Sequence, residues 1–284
     1  VIAYREYKNA LSPSSIQDIG GGAACHLSTD ANARLLITSQ YGGGNVAVFP
    51  LDSKGEIEPR SQLIELEGGS NVVKGRQRSP HPHYIGFSPD DRFVLVPDLG
   101  TDQVRIYEVD YENKKLSSHS VGRMPPGSGP RHMKFSPDGQ SVWVLGELDL
   151  TVNVFDWDPE GGTMELVQSV ATVDADDLAK ERFKSASEIR VHPNGKFVYS
   201  ANRGHDTISV FEVVDQNNLK RVQIMPVRGS IPRNFSLTPD GEWLLVGGQK
   251  SHTLAVFEID ADSGELTFHQ EVITTPAPIC VLMP

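Results

Sequence analysis

Residues 136–155 read SPDGQSVWVLGELDLTVNVF, and this stretch decides the fold. It begins with a Ser-Pro-Asp-Gly turn, in which Pro sets φ and Gly accepts a positive φ. An apolar run follows, then a polar break, then a run that alternates apolar and polar residues. Turns of this chemistry between β-branched and aromatic runs predict antiparallel hairpins.

The same pattern occurs five times along the chain. The second strands of the copies begin at residues 35, 93, 141, 197 and 243, a mean spacing of about 52 residues. Four short antiparallel strands in such a period are typical of one β-propeller blade. We therefore predict an all-β propeller of four-stranded antiparallel blades, forming a single domain over residues 1–284. A large β-sandwich is the alternative, which five copies with shared turn chemistry and strand order disfavour.

The ends of the chain fit further, incomplete blades. Val1 to Tyr7 and Ile16 to Ile19 resemble the outer strands of an earlier blade, and Cys280 to Met283 resembles the start of a sixth inner strand. Because a propeller closes by joining its terminal strands into a ring, we expect that part of one or more blades is absent here. The stretch Asp174–Lys184 predicts one short helix or a loop insertion.

Composition and charge exclude several classes of partner. The chain of 284 residues has 37 acidic and 26 basic residues, a net charge of −11. Such a surface repels phosphate backbones and anionic lipid, so we expect neither nucleic acid nor membrane as a partner. Two cysteines, Cys25 and Cys280, cannot make a disulfide framework and indicate a reducing, cytoplasmic compartment. The sequence leaves the oligomeric state open.

A comparison of the repeats isolates two positions whose residue type changes from copy to copy. The first position, just ahead of the inner strand, is occupied by Cys25, His83, Arg131, Ser187 and Arg233, and Glu188 comes directly after it in the fourth copy. The second position, just after the second strand, is occupied by Tyr41, Leu99, Glu147, Arg203 and Gln249. Because consecutive strands are antiparallel, both positions lie at the same end of each sheet. We therefore predict a polar site at the mouth of the central channel, formed by His83, Arg131, Glu147, Arg203, Arg233 and Glu188.

These residue types indicate chemistry on a small anionic ligand. Arginines bind carboxylate or phosphate and stabilise a developing oxyanion. His83 can act as general base or acid, and Glu147 can orient it or move protons. Excess guanidinium charge disfavours a metal ion, and we expect no cofactor. The alternative for each residue is an ion pair that ties blades together.

Neighbouring residues are weaker candidates. His81 and Asp98 are candidate substrate-binding residues, although Asp98 could as well cap a turn. His132 follows the first position and is predicted to be structural.

Two stretches resemble a known family. Arg76-Gln77-x-x-Pro80-His81-Pro82-His83 and Val96-Pro97-Asp98-Leu99-Gly100 are similar to the hallmark of the lactonase family of seven-bladed β-propellers. Gly129–His132, Ser187–Arg190, Asn202–Asp206 and Pro232–Phe235 are similar to its later blades. The resemblance implies seven blades, and hence that N-terminal strands are missing here. It also implies a catalytic set of one His, one Glu and two Arg. The matching motif positions in this sequence are His83, Glu147, Arg131 and Arg203.

The family contains propeller-type 6-phosphogluconolactonases and fungal carboxy-cis,cis-muconate cyclases. The resemblance implies a lactone hydrolase that acts on an anionic sugar-acid lactone, first of all 6-phosphogluconolactone. A cycloisomerase that opens or closes a muconolactone with the same groups is the first alternative. A non-catalytic propeller that serves as a binding scaffold is the second.

Overall fold

Strands make up nearly all of the regular structure. The computed structural model describes residues 1–8, 10–180 and 183–283, and within these ranges it contains one short helix, α1 (Ala175–Leu178). The predictions of an all-β chain and of one short helix after Asp174 are confirmed.

The chain begins with a small hairpin. Strands β1 (Ile2–Tyr7) and β2 (Ala10–Ile16) form a two-stranded antiparallel sheet, with a register shift opposite Pro13. The strand expected at the N-terminus is confirmed. The second strand lies earlier than the predicted residues 16–19.

The other strands form five four-stranded sheets, and in each sheet spatial neighbours are also neighbours along the chain. The first two sheets comprise β3 (Ala24–Thr29), β4 (Leu35–Gln40), β5 (Asn45–Pro50) and β6 (Gln62–Glu65), then β7 (Gly86–Phe87), β8 (Phe93–Asp98), β9 (Gln103–Asp110) and β10 (Lys115–Arg123). The third comprises β11 (Pro130–Phe135), β12 (Ser141–Gly146), β13 (Thr151–Asp158) and β14 (Thr163–Ala171). The last two comprise β15 (Ser185–Val191), β16 (Phe197–Arg203), β17 (Thr207–Asp215) and β18 (Asn218–Pro226), then β19 (Pro232–Leu237), β20 (Trp243–Gly248), β21 (Thr253–Ile259) and β22 (Leu266–Thr274).

The chain divides into two compact units. One unit contains Val1–Pro130 with Asp158–Thr163, and the other contains Arg131–Trp157 and the chain from Met164 onward. The single domain expected over residues 1–284 stays a prediction.

Each unit has apolar cores between neighbouring sheets. In the first unit, Ile37 and Val48 belong to the same buried cluster as Val96. In the second unit, Tyr199 of β16 packs in one cluster with Phe235 and Phe257 of the last sheet. The second strands β4, β8 and β12 are buried at every residue, because apolar side chains cover both of their faces.

The repeated turns form one local hydrogen-bonded motif. Ser136 Oγ donates to Asp138 Oδ1 at 2.5 Å and accepts from the Ser141 N–H at 2.9 Å. Asp138 Oδ1 in turn accepts from the Gln140 N–H at 3.1 Å. Ser88 and Thr238 make the same pair of bonds in their turns. The hydroxyl and carboxylate therefore satisfy the backbone donors where each second strand starts.

The first strand of the second sheet, β7, has only two residues, and the chain before it adds one isolated bridge, Pro82 to Asp98. Proline at positions 80 and 82 removes ladder donors there. The sixth inner strand expected at Cys280–Met283 is wrong, because residues 275–283 include no strand in the structure. Prolines at 276 and 278 interrupt the preceding backbone.

Candidate active site

Both variable positions lie at the predicted end of their sheets. Glu147 directly follows β12, and Arg203 is the last residue of β16. Arg131 lies within β11 and Arg233 within β19, so these two residues belong to the first strand itself rather than preceding it.

Bulges mark the first position in three of the sheets. The register of the first and second strands shifts between Ala24 and His26, between Ala186 and Ile189, and between Pro232 and Asn234. The residues skipped by the ladder include Cys25, Ser187 and Arg233. A bulge bends its strand and re-aims the side chain of the unpaired residue, and bulges are enriched beside active sites.

Three charged side chains of the second unit meet as predicted. Glu147 Oε2 lies 3.0 Å from Arg131 Nε and 3.3 Å from Arg203 Nη2. All three residues are buried, with 5%, 2% and 8% of their surface exposed, respectively. We call this group the guanidinium pair cluster. One carboxylate and two guanidinium groups leave one net positive charge, and low solvent exposure strengthens its field on a neighbouring anion.

Backbone carbonyls hold both guanidinium groups in place. Arg203 Nη2 donates to Ser185 Oγ at 2.5 Å and to the Ala186 carbonyl at 2.9 Å, and its Nε donates to the Ser185 carbonyl at 3.4 Å. Arg131 Nη1 donates to the Ser187 carbonyl. Strand β15 therefore supplies acceptors to both arginines, which fixes their planes before any ligand binds.

Glu188 belongs to a second buried network. Its Oε1 lies 3.0 Å from His132 Nδ1 and accepts from the Ile189 N–H at 3.0 Å. Its Oε2 accepts from Asn234 Nδ2 at 2.5 Å and lies 3.5 Å from Arg190 Nη2. These partners occupy both carboxylate oxygens, so the structure favours a structural role for Glu188 over the substrate-binding role expected from the repeats. His132 has the structural contacts predicted for it.

Arg233 has a different environment. Its side chain is partly exposed, and among the described residues it forms no ion pair. A guanidinium of this kind can bind an anion without first breaking an internal bond.

In the first unit, three rings cluster around the His-Pro-His stretch. The ring of Tyr41 stacks on His81, with centroids 4.4 Å apart and planes at 15°. The same ring meets His83 edge-on, with centroids 5.6 Å apart and planes at 72°. His83 is buried, with 6% of its surface exposed, whereas His81 is partly exposed. The carbonyls of Pro97 and His81 accept from the N–H groups of His83 and Leu99, which sets the stretch against the end of β8.

The buried carboxylate of Asp98 binds the backbone of the His-Pro-His stretch. Its side chain has no exposed surface. Its Oδ1 accepts from the N–H groups of His81 at 2.7 Å and Gly100 at 3.1 Å, and its Oδ2 pairs with Arg105 Nε at 3.1 Å. The structure therefore favours the turn-capping alternative for Asp98 over a contact with substrate.

Gly100 is required by a close approach of the backbone. A Cβ at this position would lie 1.8 Å from the Ser79 carbonyl oxygen. In the Asp-Leu-Gly motif, the Asp98 carboxylate accepts from backbone N–H groups, and Gly100 leaves room for the Ser79 carbonyl. Together they position the His-Pro-His loop.

Sequence reasoning missed two contributors. Tyr41 was visible at the second variable position, but nothing in the pattern indicated that its ring contacts two histidines. Ser185 carries no signal of its own, because its role depends on where the Arg203 side chain lies.

Neither a metal site nor a membrane span is found in the part of the chain that the structure describes. No group of three or more His, Cys, Asp or Glu residues is arranged to hold a metal ion. No helix there is long and apolar enough to cross a bilayer.

Comparisons with known proteins agree with the geometry. The family model described as "Lactonase, 7-bladed beta-propeller" matches residues 1–283. The 6-phosphogluconolactonase of Bacillus subtilis is 34% identical over 99% of this chain and 79% of its own length. That of Pectobacterium carotovorum is 32% identical over 94% of this chain and 76% of its own. The solved structure of the Pseudomonas aeruginosa periplasmic gluconolactonase matches with a TM-score of 0.89 and 29% identity, covering 98% of this chain and 78% of that one.

Proposed function

The chain belongs to the lactonase family of seven-bladed β-propellers, and from this premise we propose that it hydrolyses an anionic sugar-acid lactone, first of all 6-phosphogluconolactone. Relatives named 6-phosphogluconolactonase at 30–34% identity support this substrate class. The observation that carries the proposal is the buried guanidinium pair cluster of Arg131, Glu147 and Arg203.

Lactone hydrolysis requires stabilisation of an oxyanion. Attack of water on the ring carbonyl converts its oxygen to an oxyanion, and the bond to the ring oxygen then breaks. Arg131 and Arg203 supply positive charge that is already oriented, so little reorganisation is needed as the oxyanion forms. Glu147 holds both guanidinium groups at a fixed separation and limits their mutual repulsion.

The proton needs an acceptor and a later donor. We assign His83 as the general base that takes a proton from the attacking water and returns it to the departing ring oxygen. We assign Arg233 to the phosphate or carboxylate of the substrate, because its guanidinium is partly exposed. His81 is assigned to substrate contact. No metal or other cofactor takes part in this scheme.

The test is a panel of lactones with the wild type and the variant His83→Ala. Hydrolysis of 6-phosphogluconolactone should fall by about a hundredfold or more in the variant, the usual contribution of general base catalysis. His119→Ala is the matched control, because His119 is an exposed histidine of the same unit that bonds the Gly161 carbonyl. Turnover of a muconolactone in place of sugar lactones would identify the cycloisomerase alternative. A wild type that turns over no lactone would leave the scaffold alternative.

We also propose a cytoplasmic location, which the low cysteine content supports. Fractionation of the source cell with an antibody to the protein tests it, since the relative from Pseudomonas aeruginosa is periplasmic.

A further inference from the structure

The hydrogen bond of His81 determines its tautomer. His81 Nδ1 lies 2.8 Å from the carbonyl oxygen of Tyr41. A carbonyl oxygen only accepts hydrogen bonds, so Nδ1 must carry the hydrogen. In the neutral imidazole the other nitrogen, Nε2, then carries a lone pair.

That lone pair is available to a ligand. His81 is partly exposed, and Nε2 makes no hydrogen bond to any residue that the structure describes. The ring cannot turn freely, because Tyr41 stacks against its face at 4.4 Å and the Tyr41 carbonyl holds Nδ1. The backbone N–H of His81 is itself held by buried Asp98. The imidazole therefore presents a hydrogen-bond acceptor in a fixed direction.

Because Nε2 of His81 is a hydrogen-bond acceptor, it can bind only those groups of the substrate that donate. A fully ionised phosphate or carboxylate offers only acceptors, so it cannot donate a hydrogen bond to the Nε2 lone pair of the neutral imidazole. A ring hydroxyl can donate to Nε2, and the flat Tyr41–His81 stack offers an apolar face beside it.

We propose that His81 is a specificity-determining residue that accepts a hydrogen bond from one ring hydroxyl of the lactone, and that its tautomer is set by the Tyr41 carbonyl. This inference rests on the proposed lactonase function. It deepens that function by naming the part of the lactone that His81 recognises, a hydroxyl of the sugar ring.

The experiment compares His81→Asn and His81→Gln on 6-phosphoglucono-δ-lactone and its 2-deoxy, 3-deoxy and 4-deoxy analogues. Asn keeps an N–H that can reach the Tyr41 carbonyl but has no acceptor at the Nε2 position. Gln can place its amide oxygen near that position. Thermal unfolding of all three proteins checks that the fold is retained.

We expect His81→Asn to lower kcat/KM for 6-phosphoglucono-δ-lactone about tenfold, mostly through KM, which is the size of one neutral hydrogen bond. Gln should recover most of the loss. For one deoxy analogue, wild type and His81→Asn should have equal kcat/KM, because the hydroxyl that His81 would bind is absent.

Two other results would overturn the inference. An equal loss on all four lactones would make His81 a structural or general catalytic residue and would leave the lactonase function standing. No loss on any lactone would remove His81 from the site. If the wild type hydrolyses none of the four lactones, the proposed function fails and the inference fails with it.

Discussion

Two buried carboxylates, Glu147 and Asp98, each hold several neighbouring groups in place, and they do so in different ways. Glu147 lies between two buried guanidinium groups and forms an ion pair with each of them. Asp98 has no exposed surface and uses its oxygens for the backbone of the His-Pro-His loop and for Arg105. The two residues occupy adjacent repeat positions, yet one is assigned to the chemistry and the other to the support of a loop.

Glu147→Gln tests the guanidinium pair cluster. The substitution removes the negative charge but keeps the volume, so two buried guanidinium groups lose their counter-charge. We expect the free energy of unfolding to fall by about 3 kcal/mol, the lower end for breaking a buried ion pair, because backbone carbonyls still bind both arginines. Urea unfolding measures the change. Glu212→Gln, on an exposed residue of β17, is the matched control, and an equal, small effect of both substitutions would contradict the expectation.

Three of the five four-stranded sheets share one turn motif ahead of their second strand. The Ser-Pro-Asp-Gly turn satisfies the backbone where the second strand begins, and a bulge or a short first strand varies the other end. The turn stabilises the sheet, and the bulged end carries residues assigned to the site. The turn and the bulged end lie at opposite ends of the hairpin, so a substitution in one need not alter the other.

Ser136→Ala tests the turn. It removes an acceptor from the buried Ser141 N–H and a donor to Asp138. We expect a loss of about 1–2 kcal/mol in the free energy of unfolding, because one backbone donor is left unsatisfied. Ser136→Thr is the matched control, since Thr238 makes the same bonds in the last sheet. A Thr variant as unstable as the Ala variant would show that the hydroxyl is not responsible.

At the scale of the whole molecule, the acidic excess shapes the response to pH. The net charge of −11 includes many carboxylates in turns. Backbone N–H groups of Asn113 and of Ser263 lower the pKa of Asp110 and Asp260, respectively, below the ordinary value of 3.8. Such groups bind protons more weakly in the folded chain than in the unfolded one. Their contribution to stability is present above the unfolded pKa and is lost as pH falls through the folded pKa.

We therefore expect the free energy of unfolding to decline below about pH 4. The double substitution Asp110→Asn and Asp260→Asn keeps an oxygen acceptor in each turn but removes the titration. Its stability should change less between about pH 5 and pH 3 than that of the wild type. Urea unfolding at several pH values measures both slopes, and parallel curves would contradict the linkage.

The sequence predicted those features that are local or repeated. The turns around Ser136 follow from residues within five positions of each other, and the meeting of Arg131, Glu147 and Arg203 follows from comparing copies. The burial of Glu188 was not predictable, because its partners His132 and Asn234 lie 56 and 46 residues away. The tautomer of His81 depends on a backbone carbonyl of Tyr41, which leaves no mark in the residue pattern.

The three bulges have a consequence for how such a protein can be altered. A residue that the ladder skips is under little constraint from strand pairing, and these positions already hold a thiol, a hydroxyl and a guanidinium at Cys25, Ser187 and Arg233. The three differ in how freely they could be replaced, because Ser187 is fully buried and donates to the Pro232 carbonyl, whereas Arg233 is partly exposed. An engineer who wishes to change the charge at this end of the sheets would therefore substitute Arg233 first.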